Sequence, residues 1–283
     1  LLSYNYSMAE DLGKGNTIIQ NLVGIGIAGL NYKVVEDIVS QPDSPNLFWA
    51  IQLMPSPLID IKQACEAEMK MWLNNYVDGL DTSILSVEQA NKRFNELWQD
   101  AYDDLPFSVI IAAKYTQAKQ YLLEHGYSPE WLEQIPTAQV VMLWMWQDYI
   151  PIRDEYFKYI FVPYCKGEKY FDNVTKQIDA KHSSLTDDNI FLDFLPAISK
   201  VSLLATRIEV RADALQCVEA IRMYVAEYGK LPEKLADIDF IPLPENELTG
   251  EKFRYYLDGD SAVLDIEDPE DDYDFQGYRL RLR

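Results

Sequence analysis

Histidine is almost missing from this chain: His125 and His182 are the only two. Most of the sequence therefore lacks the commonest general base and metal ligand at neutral pH. No HExxH pair occurs, which excludes that zinc-protease site, and no GxSxG elbow seats a nucleophilic serine. Cysteine is nearly as scarce. Cys65, Cys165 and Cys217 are far apart and form no CxxC, so neither a zinc ribbon nor a redox pair is expected. An odd count allows at most one disulfide within the chain. Cys217, in an apolar helical stretch, reads as a small core residue.

Positive charge is also in short supply. Lys and Arg total 25 against 46 Asp and Glu, a net charge of −21. A field of that sign repels phosphates and anionic headgroups, so nucleic-acid binding is not expected. It favours solubility, or attraction of a cationic partner or divalent metal. Long hydrophobic runs are lacking too. The longest, Leu22–Leu30, falls far short of the ~20 residues of a membrane span. The chain opens on Leu1, so a processed or excised form is expected, with any signal or anchor upstream.

What is present is core-forming: 48% hydrophobic and 13% aromatic residues, enough for a full globular interior. Helical periodicity fills the first four-fifths. Residues 16–40 read as a helix with Ile18, Leu22, Ile25, Gly29, Tyr32 and Val34 or Val35 on one stripe. Asp43-Ser44-Pro45 reads as a cap opening a short helix to Gln52. Further helices are expected from Pro57 to Val77, Val87 to Tyr102 behind a Ser86/Gln89 capping box, and Leu105 to Glu124. A short helix after Ser128 precedes an apolar one over 137–164, with Pro151 expected to kink or split it. A polar stretch follows over 166–189. The longest helix, Phe194–Tyr228, carries Ile198, Val201, Leu204, Ile208, Leu215, Val218, Ile221 and Val225 and stops at Gly229. A hairpin of 253–257 and 262–266, then a strand over 277–282, complete the chain. Helices followed by a few strands imply an α+β fold with a small antiparallel sheet near the long helix. The expected domains are 1–193, helical, and 194–283, the long helix with a small α+β tail.

Candidate chemistry is sparse. Gly24-Ile25-Gly26-Ile27-Ala28-Gly29 matches GxGxxG, but the glycines lie inside a helical stripe and no acid stands about 20 residues on, so close helix packing is the expected role. Asp100, Asp103 and Asp104 share one helix face, and Asp187, Asp188 and Asp193 form a second cluster. Such acids suit Mg²⁺ and a diphosphate; solvated carboxylates are the plainer reading. Glu66 and Glu68 point to different faces and make a poor acid–base pair. His125 stands at a helix end, where a cation suits the dipole; His182 lies in the polar stretch. The six tryptophans read as packing residues rather than a glycan groove. The strongest non-core feature is the run Asp258, Asp260, Asp265, Glu267, Asp268, Glu270, Asp271, Asp272 and Asp274, without an intervening Lys or Arg. Asp258, Asp260, Asp265 and Asp268 are its candidate calcium ligands. The EF-hand pattern fails, because Ala262 occupies its fifth position and its glycine is missing, leaving an irregular calcium loop or a solvated acidic turn.

The segment Ala220-Ile221-Arg222-Met223-Tyr224-Val225-Ala226-Glu227-Tyr228-Gly229-Lys230-Leu231-Pro232-Glu233-Lys234-Leu235, with Leu248-Thr249-Gly250-Glu251-Lys252-Phe253-Arg254-Tyr255-Tyr256 and Asp258-Gly259-Asp260, resembles the heads of type II secretion pseudopilins. That likeness covers about the last quarter of the chain; helical protein stands where pseudopilins carry their hydrophobic helix. The same tail, together with Gly15-Asn16-Thr17-Ile18-Ile19-Gln20-Asn21-Leu22-Val23-Gly24-Ile25 and Gln41-Pro42-Asp43-Ser44-Pro45-Asn46-Leu47-Phe48-Trp49-Ala50, resembles uncharacterised exported proteins of planctomycete-like bacteria. The resemblance implies an extracytoplasmic setting in the periplasm or cell envelope and no catalytic motif. The leading expectation is a non-enzymatic structural or binding protein with an unknown protein partner and no cofactor apart from possible calcium. Membrane association would come only through a segment upstream of Leu1. The second expectation is a metal-dependent enzyme using the aspartate clusters in a helical cleft.

Overall fold

The computed structural model describes residues 2–99, 106–182, 188–268 and 276–282. Their architecture is α+β and mostly helical, with a small antiparallel sheet near a long C-terminal helix.

Helix α1 (Leu2–Gly13) precedes the first helix expected from sequence. Helix α2 (Ile18–Val39) packs along it. Thr17 caps α2 by accepting from the Gln20 amide at 3.2 Å. Asn21, fully buried, donates to the carbonyls of Leu12 and Gly13 at 3.3 and 3.0 Å, tying α2 to the open end of α1. A Cβ on Gly24 would stand 2.9 Å from both the Ala9 carbonyl oxygen and Ile59 Cδ1. Close helix packing is therefore the role of this first GxGxxG glycine.

Helix α3 (Phe48–Gln52) starts later than expected from Pro45. Asn46 supplies the turn, accepting from the Phe48 amide at 3.0 Å. Helix α4 (Ile61–Val77) likewise starts after Pro57, where Asp60 accepts from the Lys62 amide at 3.0 Å. Helix α5 (Val87–Gln99) has the expected capping box: Ser86 Oγ accepts from the Gln89 amide at 3.1 Å and Gln89 Oε1 from the Ser86 amide at 3.0 Å. Its expected extension to Tyr102 lies outside the described residues.

Helix α6 (Phe107–Glu124) ends before Gly126, at φ +90°, and α7 (Pro129–Leu132) is capped by Ser128. Helix α8 (Thr137–Ile160) is buried on every side from Ala138 to Met145. It runs through Pro151 as one helix. Pro151 is exposed, so the carbonyl it leaves unbonded can be hydrated. Helix α9 (Tyr164–His182) fills most of the polar stretch.

A 3-10 turn over Ile190–Phe194 leads into α10 (Leu195–Tyr228). Gly229, at φ +69°, ends it. Strands β1 (Glu245–Asn246) and β2 (Glu251–Lys252) pair antiparallel. Strands β3 (Arg254–Asp258), β4 (Ser261–Asp265) and β5 (Gly277–Arg281) form a second antiparallel sheet in the order β3-β4-β5. Asp258 pairs with Ser261, leaving Gly259-Asp260 as a two-residue turn with Gly259 at φ +59°. The hairpin is thus one residue out from the expected strands. A Cβ on Gly277 would fall 2.1 Å from the Leu264 carbonyl oxygen, so β5 can meet β4 there only as glycine.

The chain divides into two compact units, both discontinuous in sequence, whereas the sequence reading placed a linear cut at residue 193. One comprises Leu1–Cys65, Val162–Gly167 and Lys200–Arg283. Its core gathers Val210, Ala214, Cys217, Val218 and Ile221 of α10 with Phe48, Tyr164, Leu248, Phe253, Leu264 and Ile266. The N-terminal helices group with the tail because both use α10, which is buried all round from Ala214 to Ile221. The other comprises Glu66–Phe161 and Glu168–Ser199, where α5 and α6 pack on α8.

Candidate functional site

Glu209 and Asp213 stand one helical turn apart on α10, so they share a face. Both are mostly withdrawn from water, and that desolvation pushes each carboxyl up to about 7. The charge of Glu247 contributes to both shifts. Glu209 accepts from the Leu58 amide at 2.7 Å, and from Ser56, which partly offsets its shift. The charge of Glu209 is a further, smaller cause at Asp213. Tyr32, 1% exposed, lies within the field of both acids, and burial is the main cause holding its hydroxyl neutral. Chemically the pair can hold or release protons at physiological pH, the property required of a general acid and base.

The next residue on α10's other side is engaged differently. Arg211 grips Glu36 of α2 through two bonds of 2.7 and 2.8 Å and reaches the Gly29 carbonyl at 3.3 Å. Tyr278 of β5 donates to the same carboxylate at 2.8 Å. Helix α2, α10 and the sheet are thereby joined through one ion pair. Farther along, fully buried Glu219 accepts from the Leu47 amide at 3.0 Å and from Arg222 at 2.6 Å, while Arg222 reaches the Ser44 carbonyl at 2.8 Å. Asn46 Nδ2 closes the set on the Glu219 carbonyl at 2.8 Å. The Gln41–Ala50 motif and the end of the long helix, singled out separately in the sequence, are therefore in contact.

The acids expected to bind calcium are spread across the tail. Asp268 makes a two-pronged pair with Arg207 of α10 at 2.7 and 3.0 Å, with both side chains buried. Asp258 at one end of the hairpin accepts from Arg279 of β5 at 2.7 Å. Asp265 accepts from the Glu267 amide at 3.2 Å, and Asp260 occupies the exposed hairpin turn. Glu270, Asp271, Asp272 and Asp274 lie outside the described residues. Among the described residues no three His, Cys, Asp or Glu side chains are grouped to hold a metal.

Asp100, Asp103, Asp104 and Asp187 also lie outside the described residues. Asp188 departs from the expectation of a solvated carboxylate: it is 6% exposed, and its carbonyl accepts from fully buried Lys114 of α6. Lys114 also lies over the Trp144 ring at 5.8 Å. Asp193 sits half-buried in the 3-10 turn. The buried polar groups around them brace the backbone. Gln139 donates to the Leu80 and Ser83 carbonyls and accepts from the Leu85 amide at 3.0 Å. Asn189 donates to the Met145 carbonyl at 2.8 Å. His125 ends α6 with its ring stacked on Tyr121 at 3.8 Å, and His182 is the last residue of α9. Trp98 and Trp144 are core residues, whereas Trp49 is exposed. No disulfide joins Cys65, Cys165 and Cys217, and burial pushes the Cys217 thiol up.

Helix α2 differs most from its expected stripe. The buried positions are Asn21, Gly24, Ile25, Ala28, Asn31, Tyr32 and Val35. Ile19 is 70% and Leu30 69% exposed, with Leu22, Val23 and Val34 also exposed. A Cβ on Gly26 would meet nothing within 4 Å. By length and composition α2 is apolar enough to cross a membrane. The signal for this face was present in the sequence: aliphatic residues occur all round the helix, so the polar Asn21 and Asn31 could take the inner side. Glu209 and Asp213 were missed in the sequence, where they read as ordinary acids of the long helix.

Comparison with models of known protein families, with curated proteins and with solved structures found no match to this chain.

Proposed function

We propose that this chain is a non-enzymatic structural or protein-binding module that works outside the cytoplasm. The observation that supports it best is the α2 face. Five large aliphatic side chains are exposed on a helix whose opposite side is fastened by Asn21 and Arg211. A rigid, water-exposed apolar helix face is the usual form of a recognition surface. The pairing of Asp268, Asp258 and Glu36 with arginines supports the same reading, since these carboxylates serve to hold elements together. The extracytoplasmic setting rests on the pseudopilin-like tail. The test is a photo-crosslinking residue at Leu30 of the full-length gene product in its own cells. Adducts to protein in the cell envelope are expected at Leu30 and not at Leu123, an exposed position on α6. Equal labelling at both positions, or adducts only in the cytoplasm, contradicts the reading.

A second reading, an enzyme using carboxylate chemistry, is favoured by one observation: Glu209 and Asp213 hold protons near pH 7. It predicts a turnover activity lost in Glu209→Gln with folding intact.

A further inference from the structure

We propose that the exposed face of α2 pairs with the same face of a second copy of this chain, antiparallel about a two-fold axis near Gly26. The proposal rests on the binding-module reading and names the partner for it. The exposed residues Ile19, Val23, Gly26, Leu30 and Val34 recur at three- and four-residue intervals, forming one stripe along the helix. Their order is symmetric about the helix middle. In an antiparallel pair centred between Gly26 and Ile27, Ile19 of one copy stands opposite Val34 of the other, and Val23 opposite Leu30. A two-fold interface requires this self-complementarity, because each patch must fit itself reversed. The open space over Gly26 lets the two helices approach closely where they cross.

The charge distribution agrees. Residues 12–35 contain no Asp or Glu, the longest such interval in the chain. Two copies of charge −21 repel each other least along this stretch. In the proposed register Lys33 stands opposite Gln20, and Glu36 and Asp37 fall at the end of the partner helix, where its first residues Thr17 and Ile18 are uncharged. The aliphatic residues of the face expose on the order of 500 Å² per copy, giving about 1,000 Å² in a pair, the lower limit for a specific interface. An interface at that limit is expected to be weak and reversible. A lipid surface fits less well. The inner side of α2 is held against α1 through Asn21, so α2 cannot be surrounded by lipid, and the net charge opposes anionic headgroups.

Sedimentation velocity of the unmodified chain from about 1 to 200 μM tests the pairing. The mass is expected to rise from monomer to dimer across that range. Leu30→Glu should weaken association at least tenfold with an unchanged thermal melt. The register is tested by oxidation: Gly26→Cys should form disulfide-linked dimers with itself, and Val23→Cys mixed with Leu30→Cys should cross-link more than either alone. A monomer at every concentration, a dimer indifferent to Leu30→Glu, or cross-linking without this register overturns the proposal. Flotation of the monomer with phosphatidylcholine vesicles, abolished by Leu30→Glu, would overturn it in favour of a lipid surface. If the chain stays monomeric yet Leu30 still cross-links a different envelope protein in cells, the second-copy proposal fails and the binding-module reading stands.

Discussion

Replacing Asp213 with Asn should stabilise this protein more at pH 8 than at pH 5. Burial, with the charges of Glu247 and Glu209, lifts the Asp213 carboxyl from the ordinary aspartate range to about 7. The unfolded chain releases this proton near pH 4, whereas the folded chain retains it until near neutrality. Folded protein therefore binds more protons than unfolded protein across that window, and stability falls as pH rises through it. The shift of roughly three pH units corresponds to about 4 kcal/mol in full, of which about 2.5 kcal/mol is lost between pH 5 and 8. Asn carries no charge, so its variant should lack most of that slope. Urea unfolding followed by circular dichroism at pH 5 and pH 8 measures it, with the variant's stability relative to the parent rising by about 2.5 kcal/mol from the lower pH to the higher. A stability difference that is the same at both pH values would refute the argument that a desolvated, ionisable carboxyl sits at this position.

Arg207→Met leaves Asp268 buried without its two-pronged partner, and should cost about 3 kcal/mol in urea unfolding, most of it recovered by adding Asp268→Leu. Gly277→Ala drives a methyl group into the Leu264 carbonyl; lower thermal stability and faster amide exchange in β4 and β5 are expected. Millimolar calcium should not raise the melting temperature, because Asp268 and Asp258 already have arginine partners; a rise of several degrees that a chelator reverses would show an ion at the acidic run.

The fold was largely legible, because its signals are local. Thr17, Ser86 and Ser128 each cap the helix that follows, and Gly126 and Gly229 end helices at positive φ as their type allows. The hairpin turn at Gly259-Asp260 is of the same kind. Where the reading slipped, a nonlocal contact decided the outcome. Pro45 and Pro57 looked like helix starts, yet Asn46 and Leu58 are bound instead by Glu219 and Glu209, more than a hundred residues away. The site was less legible still. Acidity drew attention to the tail run, where arginines distant in sequence meet Asp258 and Asp268. The carboxyls most altered by their surroundings are two members of a long apolar helix, and only packing reveals their burial. On α2 the apolar stripe favours Leu22 over Asn21, and only the folded chain brings Asn21 to the carbonyls that end α1.

The most direct measurement of the central claim, that α2 presents a docking face, is hydroxyl-radical footprinting of the whole chain at rising concentration. Oxidation of Ile19 and Leu30 should fall as copies associate, while Leu53 and Ile84, exposed elsewhere, should react equally throughout. Unchanged labelling of Ile19 and Leu30 up to the highest soluble concentration would contradict the account.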